Sequence, residues 1–276
     1  MRAAAPPDSA GAGKGYPTMS SERRAGDAVP PSIGRMVRCD RIADTYDQAF
    51  AAYQLLQYDH QALLGWFDKP GRLIDLGCGT GRTLVEFGRR GFDVTGVDLA
   101  PRMLQISREK LQAAGLRGVK LLEGSIADLP LDRLSPPYDY AVCLGATLGY
   151  VQGYANRVRA VRQAGSLLAP GGQYVFHVQN LLFNLRTLAL PFIATGLLKW
   201  AVGRGEIGDQ ILWWYRGLKW VYMHAFTPGE IERLVRDAGL QLAEVHCLRK
   251  KCGGPLEGER RRFWRSHGFI VRCRRP

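Results

Sequence analysis

The chain has 276 residues, 46% of them hydrophobic, which suits one large domain, or a domain with a small cap, around a substantial core. Its net charge of +13 and pI near 9.7 favour an acidic partner, such as nucleic acid, an anionic membrane surface or an acidic substrate, unless they reflect a general arginine bias. The six cysteines are scattered, which excludes a disulfide framework and a usual zinc site and is typical of a reduced, cytoplasmic protein.

The first seventy residues divide into two segments of different composition. Residues 1–34 are rich in Ala, Gly, Pro and Ser and lack an apolar run, so they predict a disordered tail and no signal peptide. Residues 35–70 carry apolar side chains at helical spacing. We expect them to form an N-terminal helical cover that lies over a ligand site from outside.

Residues 73–82, with the sequence LIDLGCGTGR, are the stretch around which the rest of the chain is organised. An apolar start predicts a buried parallel strand, and a helix is predicted over residues 82–90. Three glycines, Gly77, Gly79 and Gly81, lie between this strand and this helix. They predict a tight turn, because glycine tolerates positive φ and lets a ligand approach the backbone closely. The helix start offers unpaired N–H groups to a carboxylate or phosphate. The stretch therefore predicts a small-molecule site.

An acidic residue closes the next predicted strand, which spans residues 94–98. Asp98 at its end is placed to accept hydrogen bonds from both hydroxyls of a ribose. A glycine turn together with a ribose-binding acid indicates a cofactor that contains a nucleoside, either a dinucleotide or S-adenosylmethionine. The dinucleotide pattern is G-x-G-x-x-G, whereas this chain has glycine at alternate positions and Asp75 two residues before the first of them.

This pattern resembles motif I of the class I S-adenosylmethionine-dependent methyltransferases, and we favour that family over a dinucleotide oxidoreductase. The resemblance runs in order over residues 40–275. It implies an α/β fold with a doubly wound, mostly parallel seven-stranded sheet and one antiparallel strand, to which this chain adds a helical cap insertion. The cofactor-binding residues that the resemblance implies are Asp75, Gly77, Cys78, Gly79, Gly81, Asp98, Leu99, Ser125, Ile126 and Leu144.

Two details of the resemblance concern single residues. Ser125 stands where the family commonly has Asp, although its hydroxyl still offers a hydrogen bond to the adenine amine. Tyr46 and Asp47 lie where the family often has an aromatic–acid pair near the cofactor. We interpret Tyr46 first as a packing residue of a helix and second as a cofactor contact.

The cofactor-binding core is predicted to span residues 71–180. After Asp98 it contains a helix that starts at Pro101, strands at residues 119–122 and 138–144, a helix at 156–168 and a fifth strand at 173–178. Such alternation of strands and helices is typical of a parallel sheet covered on both faces.

The last hundred residues add an insertion and complete the sheet. Residues 181–222 form an aromatic-rich cap insertion, and its apolar stretch at 188–198 is too short to span a bilayer. We prefer a cap that also lines the substrate pocket to one that only buries its own aromatic side chains. Residues 223–276 complete the core sheet: a capping box at 227–230 starts a helix, and the strand at 268–273 is the antiparallel one.

Methyl transfer needs no covalent enzyme residue, since the protein has to bind the cofactor, exclude water and hold the nucleophile in line. The candidate catalytic residues are His177 and Tyr150, which follow strands at the carboxyl edge of the sheet. His177 is either a general base or a core histidine. Thr147, Asn180 and His224 are further candidates on the acceptor side.

Two motifs resemble those of other enzymes but occur in the wrong context. Residues 135–138, Ser-Pro-Pro-Tyr, match a signature of DNA amino-methyltransferases, yet they precede the fourth strand instead of following it. Tyr215 and Lys219 match the catalytic spacing of short-chain dehydrogenases, yet they lie inside the insertion. We interpret both as coincidental.

Three functions remain open at this point. The aromatic insertion favours a methyltransferase that acts on a small or lipid-like acceptor. The basic C-terminus, residues 249–275, favours an RNA methyltransferase instead. The third alternative is a cofactor-binding protein without catalytic activity. A sheet of this kind serves many chemistries, so the fold alone does not choose among them.

Overall fold

The computed structural model describes residues 29–51, 54–183, 205–249 and 262–276. The strands are β1 (Arg72–Leu76), β2 (Asp93–Asp98), β3 (Lys120–Glu123), β4 (Tyr138–Cys143), β5 (Leu168–Gln179), β6 (Asp209–Tyr215), β7 (Leu218–His224), β8 (Gln241–Leu248) and β9 (Gly268–Arg274). Seven of them form one sheet in the order β3-β2-β1-β4-β5-β9-β8, while β6 and β7 form a separate antiparallel hairpin. Strand β9 is antiparallel to both of its neighbours, and β1 to β5 pair in parallel. The predicted fold class is therefore confirmed.

The helices are α1 (Pro31–Val37), α2 (Asp40–Asp44), α3 (Tyr46–Ala51), α4 (Gln54–Trp66), α5 (Arg82–Gly88), α6 (Pro101–Ala113), α7 (Tyr154–Ser166), α8 (Pro228–Asp237) and α9 (Arg262–Arg265). Proline at the first position begins α6 and α8, where its fixed φ suits a helix start. The Thr227 hydroxyl accepts a hydrogen bond from the Glu230 amide at 3.2 Å, so the predicted N-cap of α8 is present.

Alternating side chains of the strands supply a core on each face of the sheet. Ile74 and Ala141 face a cluster that includes apolar residues of α7 and α8. Their neighbours Leu73 and Val142 face the opposite cluster, to which α5 and α6 contribute. This period of two follows from the pleat of a strand. Because both faces are covered, the exposed features of the sheet are its edges, and ligands bind at the carboxyl edge.

The structure corrects one boundary of the predicted disordered tail, residues 1–34. Helix α1 already begins at Pro31, and both Ser32 and Ile33 are buried. The Ser32 hydroxyl accepts a hydrogen bond from the Tyr222 amide at 3.0 Å, so packing against β7 fixes this segment. Residues 1–28 of the predicted tail lie outside the described residues.

The second correction concerns only residues 209–222 of the insertion, which belong to a β-hairpin where we expected a helical cap, whereas residues 181–183 are helical. Strands β6 and β7 pair from Asp209 to His224, and both turn residues, Arg216 and Gly217, have positive φ values of 51° and 87°. Two consecutive residues of positive φ are typical of the tight turn that matches the twist of a hairpin. The apolar stretch 188–198 lies in a part of the insertion outside the described residues. Among the residues that are described, no helix is both long and apolar enough for a membrane span.

Candidate functional site

The glycine turn after β1 has the predicted shape and lies at the carboxyl edge of the sheet. The main-chain N–H groups of Gly77 and Cys78 donate to the carbonyl of Val97 at 2.7 and 3.0 Å, which holds the turn against β2. A Cβ atom on Gly77 would lie 2.6 Å from Cγ2 of Thr147, so this position has to be glycine. At Gly79, by contrast, a Cβ would meet no atom within 4 Å, because this residue borders a cavity. The turn therefore presents bare backbone to a ligand.

Asp98 lines a cavity of about 120 Å³ together with Gly79 and Met103. Its two carboxylate oxygens accept hydrogen bonds from the amides of Gly79 and Ala100, each at 2.8 Å. Burial raises the pKa of Asp98, and these amides oppose the rise. Each oxygen has a second lone pair, so the side chain is still able to accept from a diol.

A smaller cavity of about 40 Å³ continues along the turn and is lined by Asp75, Cys78 and Leu144. Burial, reinforced by the negative charge of Asp98, raises the pKa of Asp75 to about 7. The Leu144 carbonyl accepts from both the amide and the hydroxyl of Thr147, at 3.3 and 2.8 Å. Thr147 therefore already bonds to the main-chain carbonyl of Leu144, one of the cofactor-binding residues that the resemblance implies.

Three predicted cofactor residues lie outside these two cavities. Leu99, Ser125 and Ile126 line neither of them. The Ser125 hydroxyl accepts from the Ala127 amide at 3.2 Å and thus stabilises its own turn. Ile126 packs against the core on one side of the sheet. Their contacts with adenine stay predictions.

The groups that line these two cavities nevertheless fit a nucleoside linked to an amino acid. Asp98 offers a carboxylate to a ribose diol, and Met103 offers an apolar surface to a base. Asp75 and the bare backbone of the glycine turn lie beside them, at the helix start of α5. A carboxylate partner and main-chain groups of this kind suit a zwitterionic amino-acid tail.

Helix α3 forms the wall between these cavities and a larger one. Tyr46 lines all three cavities, so it is part of the site and more than the packing residue that we preferred. Its ring lies 4.6 Å from that of Phe50. The guanidinium groups of Arg82 and Arg216 lie over both rings, at 5.4 to 6.0 Å. Asp47 anchors the helix to the core by accepting from the Thr80 hydroxyl at 2.8 Å.

The larger cavity measures about 380 Å³ and adjoins the cofactor-type cavities. It shares five lining residues with the cavity that contains Asp98, namely Tyr46, Phe50, Gly145, Tyr150 and Tyr215. Its volume suits a small molecule with one or two rings. Its other lining residues include His177, Gln179, Leu212, Arg216, Met223 and His267.

His177 occupies the β5 side of this cavity and is paired with a buried acid. Its Nδ1 lies 2.9 Å from an Asp59 carboxylate oxygen, and the side chains are 2% and 0% exposed. Asp59 comes from α4, within the segment that the sequence predicts as a cover. A carboxylate on Nδ1 fixes the imidazole and leaves Nε2 to exchange a proton. The pair therefore places an imidazole, oriented by a buried carboxylate, at the wall of the cavity.

Other candidates on the acceptor side have different roles. Burial, together with the nearby Tyr215, raises the pKa of Tyr150 well above its usual range, so Tyr150 is suited to donate a hydrogen bond and not to act as a base. Asn180 donates to the carbonyls of Phe263 and Ser266 at 2.6 and 2.7 Å and is buried, which makes it structural. His224 does not line the large cavity, so we no longer regard it as a candidate general base.

Both coincidental motifs behave as expected from their context. The Ser-Pro-Pro-Tyr segment precedes β4, and its carbonyls at Ser135 and Pro137 accept from Arg72 at 2.6 and 2.7 Å. The Tyr215–Lys219 pair is split, since Tyr215 lines the cavities whereas the Lys219 ammonium lies 5.9 Å from the Trp213 ring.

Sequence reasoning missed Asp59 and Arg216. The only available signal for Asp59 was an acid among apolar helix positions, which is common without any function. Arg216 lies in a short polar turn between two aromatic runs, and this is also the pattern of an ordinary hairpin.

The basic C-terminus is partly used inside the fold. Arg272 donates to Glu244 at 2.9 Å and lies over the Trp66 ring at 5.1 Å. Arg275 donates to the carbonyls of Leu168 and Ser166. These two cations therefore have partners within the molecule. Residues 250–261, which carry four of the other basic residues, lie outside the described part of the chain.

Comparisons with known proteins agree with this geometry. A family described as a methyltransferase domain matches residues 48–245, more than half of the chain. A ubiquinone biosynthesis O-methyltransferase of Burkholderia pseudomallei (strain 1710b) is 29% identical over 223 residues, 77% of this chain and 84% of that protein. A magnesium-protoporphyrin O-methyltransferase of Rhodobacter capsulatus is 40% identical over 80 residues, 29% of this chain and 34% of that protein.

A solved structure shares the fold. It is the 1,6-didemethyltoxoflavin-N1-methyltransferase of Burkholderia thailandensis, with bound 1,6-didemethyltoxoflavin and S-adenosylhomocysteine. The TM-score is 0.58 at 17% identity, and the match covers 89% of this chain and 90% of that one.

Proposed function

The chain belongs to the S-adenosylmethionine-dependent methyltransferases, and from that premise we propose that it methylates a hydroxyl oxygen of a small acceptor bound in the 380 Å³ cavity. The observation that carries this proposal is the His177–Asp59 pair at the wall of that cavity. Two relatives, one matched over 84% of its length and one over 34%, are named as O-methyltransferases, which supports the same choice of acceptor atom.

When bound, S-adenosylmethionine would supply a methyl group activated by a sulfonium; the acceptor oxygen would form a bond to the methyl carbon as the methyl–sulfur bond breaks, with S-adenosylhomocysteine as the leaving group. In the proposal, Asp98 holds the ribose, and Asp75 with the glycine turn holds the amino-acid portion. Tyr46, Gly145 and Tyr150 border both sites and exclude water from the reacting atoms. The wall of α3 and the hairpin orient the acceptor against the cofactor cavity.

His177 has the central role on the acceptor side. Its Nε2 takes the proton of the acceptor hydroxyl as the oxygen attacks, because an alkoxide or phenolate is a far better nucleophile than the neutral hydroxyl. Asp59 on Nδ1 stabilises the imidazolium that forms. The proton then leaves to solvent, and the methylated product and S-adenosylhomocysteine are released.

The acceptor class in this proposal is a small aromatic hydroxyl compound. Tyr46, Phe50, Tyr150 and Tyr215 all line the cavity, and aromatic rings pack favourably against one another. A cytoplasmic location is also part of the proposal. Four described cysteines, Cys39, Cys78, Cys143 and Cys273, carry free thiols, as expected in a reducing compartment.

The test is transfer of a labelled methyl group from S-adenosylmethionine to a panel of phenols and catechols. We expect His177→Gln and Asp59→Asn each to lower kcat by roughly 10²- to 10⁴-fold, the usual contribution of general base catalysis. Calorimetric affinity for S-adenosylhomocysteine should not change, because neither residue lines the Asp98 cavity.

His246→Gln is the matched control, since this histidine bonds Tyr58 and Glu244 and lines none of the three cavities. Its kcat should equal that of the wild type. Full activity of His177→Gln would show that the acceptor needs no base at this position and would overturn the proposal.

A further inference from the structure

Arg216 is a cation that the proposed reaction does not use. It lies in the turn of the β6–β7 hairpin, with a positive φ of 51°, and lines the 380 Å³ cavity. Its guanidinium carbon lies 5.4 Å from the Tyr46 ring and 5.6 Å from the Phe50 ring. Nη2 donates to the Thr45 hydroxyl at 2.8 Å. These contacts hold the group in one position beside the cavity.

Its charge lacks an anionic partner within the described part of the chain. Two acids of the adjoining helices pair elsewhere: Asp44 with Arg102 at 2.8 Å, and Asp47 with Lys110. Nη1 of Arg216 is buried without a hydrogen-bond partner among the described residues. The aromatic faces of Tyr46 and Phe50 compensate the cation only in part.

The described lining of the cavity contains no carboxylate either. Its titratable groups other than tyrosines are Arg216, His177 and His267, and the acid that faces His177 lies behind it in α4. A neutral ligand would thus leave a desolvated guanidinium unpaired, at a cost that an anionic ligand would relieve. The cavity is electrostatically suited to one negative charge.

We infer that this cavity selects acceptors that carry a carboxylate, with Arg216 as the residue that recognises it. This inference rests on the proposed function, since the hydroxyl of the same acceptor has to reach His177. A planar carboxylate matches the planar guanidinium and, with a single charge, balances the single unpaired cation. The acceptor class is therefore an aromatic acid with a ring hydroxyl.

The test compares each carboxylate with its neutral amide. The probes are 3,4-dihydroxybenzoate and 3-(3,4-dihydroxyphenyl)propanoate, each against its carboxamide, titrated into the full chain saturated with S-adenosylhomocysteine. Wild type should bind at least one acid between about tenfold and a hundredfold more tightly than its amide, the range expected for a hydrogen bond to a charged group. Equal affinities, or no binding by either acid, would overturn the inference.

Variants of Arg216 test whether this residue causes the tighter binding of the acid than of its amide. Arg216→Met should abolish the acid-over-amide ratio, and Arg216→Lys should restore part of it. Lys219→Met is the matched control: this exposed lysine belongs to the same hairpin and lies by Trp213, outside the cavity, so the ratio should persist. A wild-type ratio in Arg216→Met would overturn the assignment. Near-ultraviolet circular dichroism would show that each variant retains its tertiary structure.

Failure of the inference and failure of the proposed function are distinguishable. Methyl transfer to acids and amides at equal efficiency would retain the hydroxyl acceptor and overturn the role of Arg216. Selective binding of acids without any methylated product would retain the role of Arg216 and overturn the proposed reaction.

Discussion

At the scale of single residues, Asp75 shows how burial makes a binding site sensitive to pH. It is 3% exposed, and its carboxyl pKa of about 7 lies far above its usual value of 3.8. Desolvation is the main cause, and the charge of Asp98 adds to it. Below neutral pH the free protein therefore holds a proton on Asp75.

This leads to a prediction about binding of S-adenosylhomocysteine, which carries an amino group of positive charge. That group favours the ionised form of Asp75, so binding expels the proton and becomes tighter as pH rises towards 7, by up to about tenfold per pH unit. Above about pH 7.5 the affinity should level off. Calorimetric titration across this range measures the slope, and buffers of different ionisation enthalpy report the released proton.

Asp75→Asn should remove the slope, because an amide does not titrate in this range. Asp93→Asn is the control, as Asp93 is an exposed acid at the start of β2. A flat profile for the wild type would show that Asp75 does not change its protonation on binding.

At the scale of elements, a polar network attaches the hairpin to the core. His224 of β7 lies with Nδ1 2.8 Å from Asp209 of β6 and with Nε2 2.9 Å from Glu230 of α8. The fully buried Arg157 of α7 donates to Glu230 at 3.1 Å and also to Glu206. Since Arg157 already occupies the space between these acids, we interpret the cluster as structural and not as a metal site.

The charged groups of this network shift each other's pKa values. Burial lowers the pKa of His224, but its bonds to Asp209 and Glu230 raise it more, so the net shift is upward. Burial raises the pKa values of Asp209 and Glu230, but the bonds to His224, together with that of Tyr222 to Asp209 and that of Arg157 to Glu230, outweigh this and the net shift is downward. The network therefore stabilises the fold most between the ordinary pKa values of Glu, 4.5, and His, 6.5.

From the directions of these pKa shifts we predict how the stability loss in one variant depends on pH. His224→Gln should lower the free energy of unfolding by about 1–3 kcal/mol near pH 5.5. The loss should shrink at a second, higher pH, because the wild-type histidine loses its charge as pH passes its raised folded pKa. Urea unfolding at both pH values measures this. A loss that grows with pH would contradict the charged form of His224.

At the scale of the whole molecule, the net charge of +13 is the property that first suggested nucleic acid as a partner. Among the described cations, Arg272 and Arg275 of the C-terminal segment have intramolecular partners. The cavity next to the cofactor site is enclosed by α3 and the hairpin and has room for a small molecule. The charge is thus compatible with a small-molecule enzyme.

The dependence of kcat/KM on salt concentration distinguishes a small-molecule acceptor from RNA. For a small acceptor, kcat/KM should change by less than about tenfold between roughly 50 and 200 mM salt, whereas binding to several phosphates would weaken by about 10³-fold or more. Steady-state kinetics with the best acceptor of the panel at both concentrations makes the measurement. A steep decline with salt would restore the RNA hypothesis.

The sequence by itself determined the features that depend on neighbours along the chain. The strand–glycine turn–helix over 73–90, the acid that ends β2 and the threonine cap of α8 are each encoded within a few residues. Local sterics and local hydrogen bonds suffice to fix them. The family resemblance added the doubly wound seven-stranded sheet and the antiparallel β9, both of which are confirmed.

Only the tertiary structure decided which side chains meet at the acceptor cavity. Asp59 and His177 are 118 positions apart, and Arg216 joins Thr45 across 171 positions. No periodicity encodes such pairs, because they depend on how α3, α4 and the hairpin pack over one edge of the sheet. Over residues 209–222 of the expected helical cap the structure has a hairpin, since aromatic runs suit either element until a turn and a packing surface select one. Tertiary packing therefore determines which side chains, far apart in the sequence, meet at the acceptor cavity. The local sequence determines the conformation of the cofactor turn.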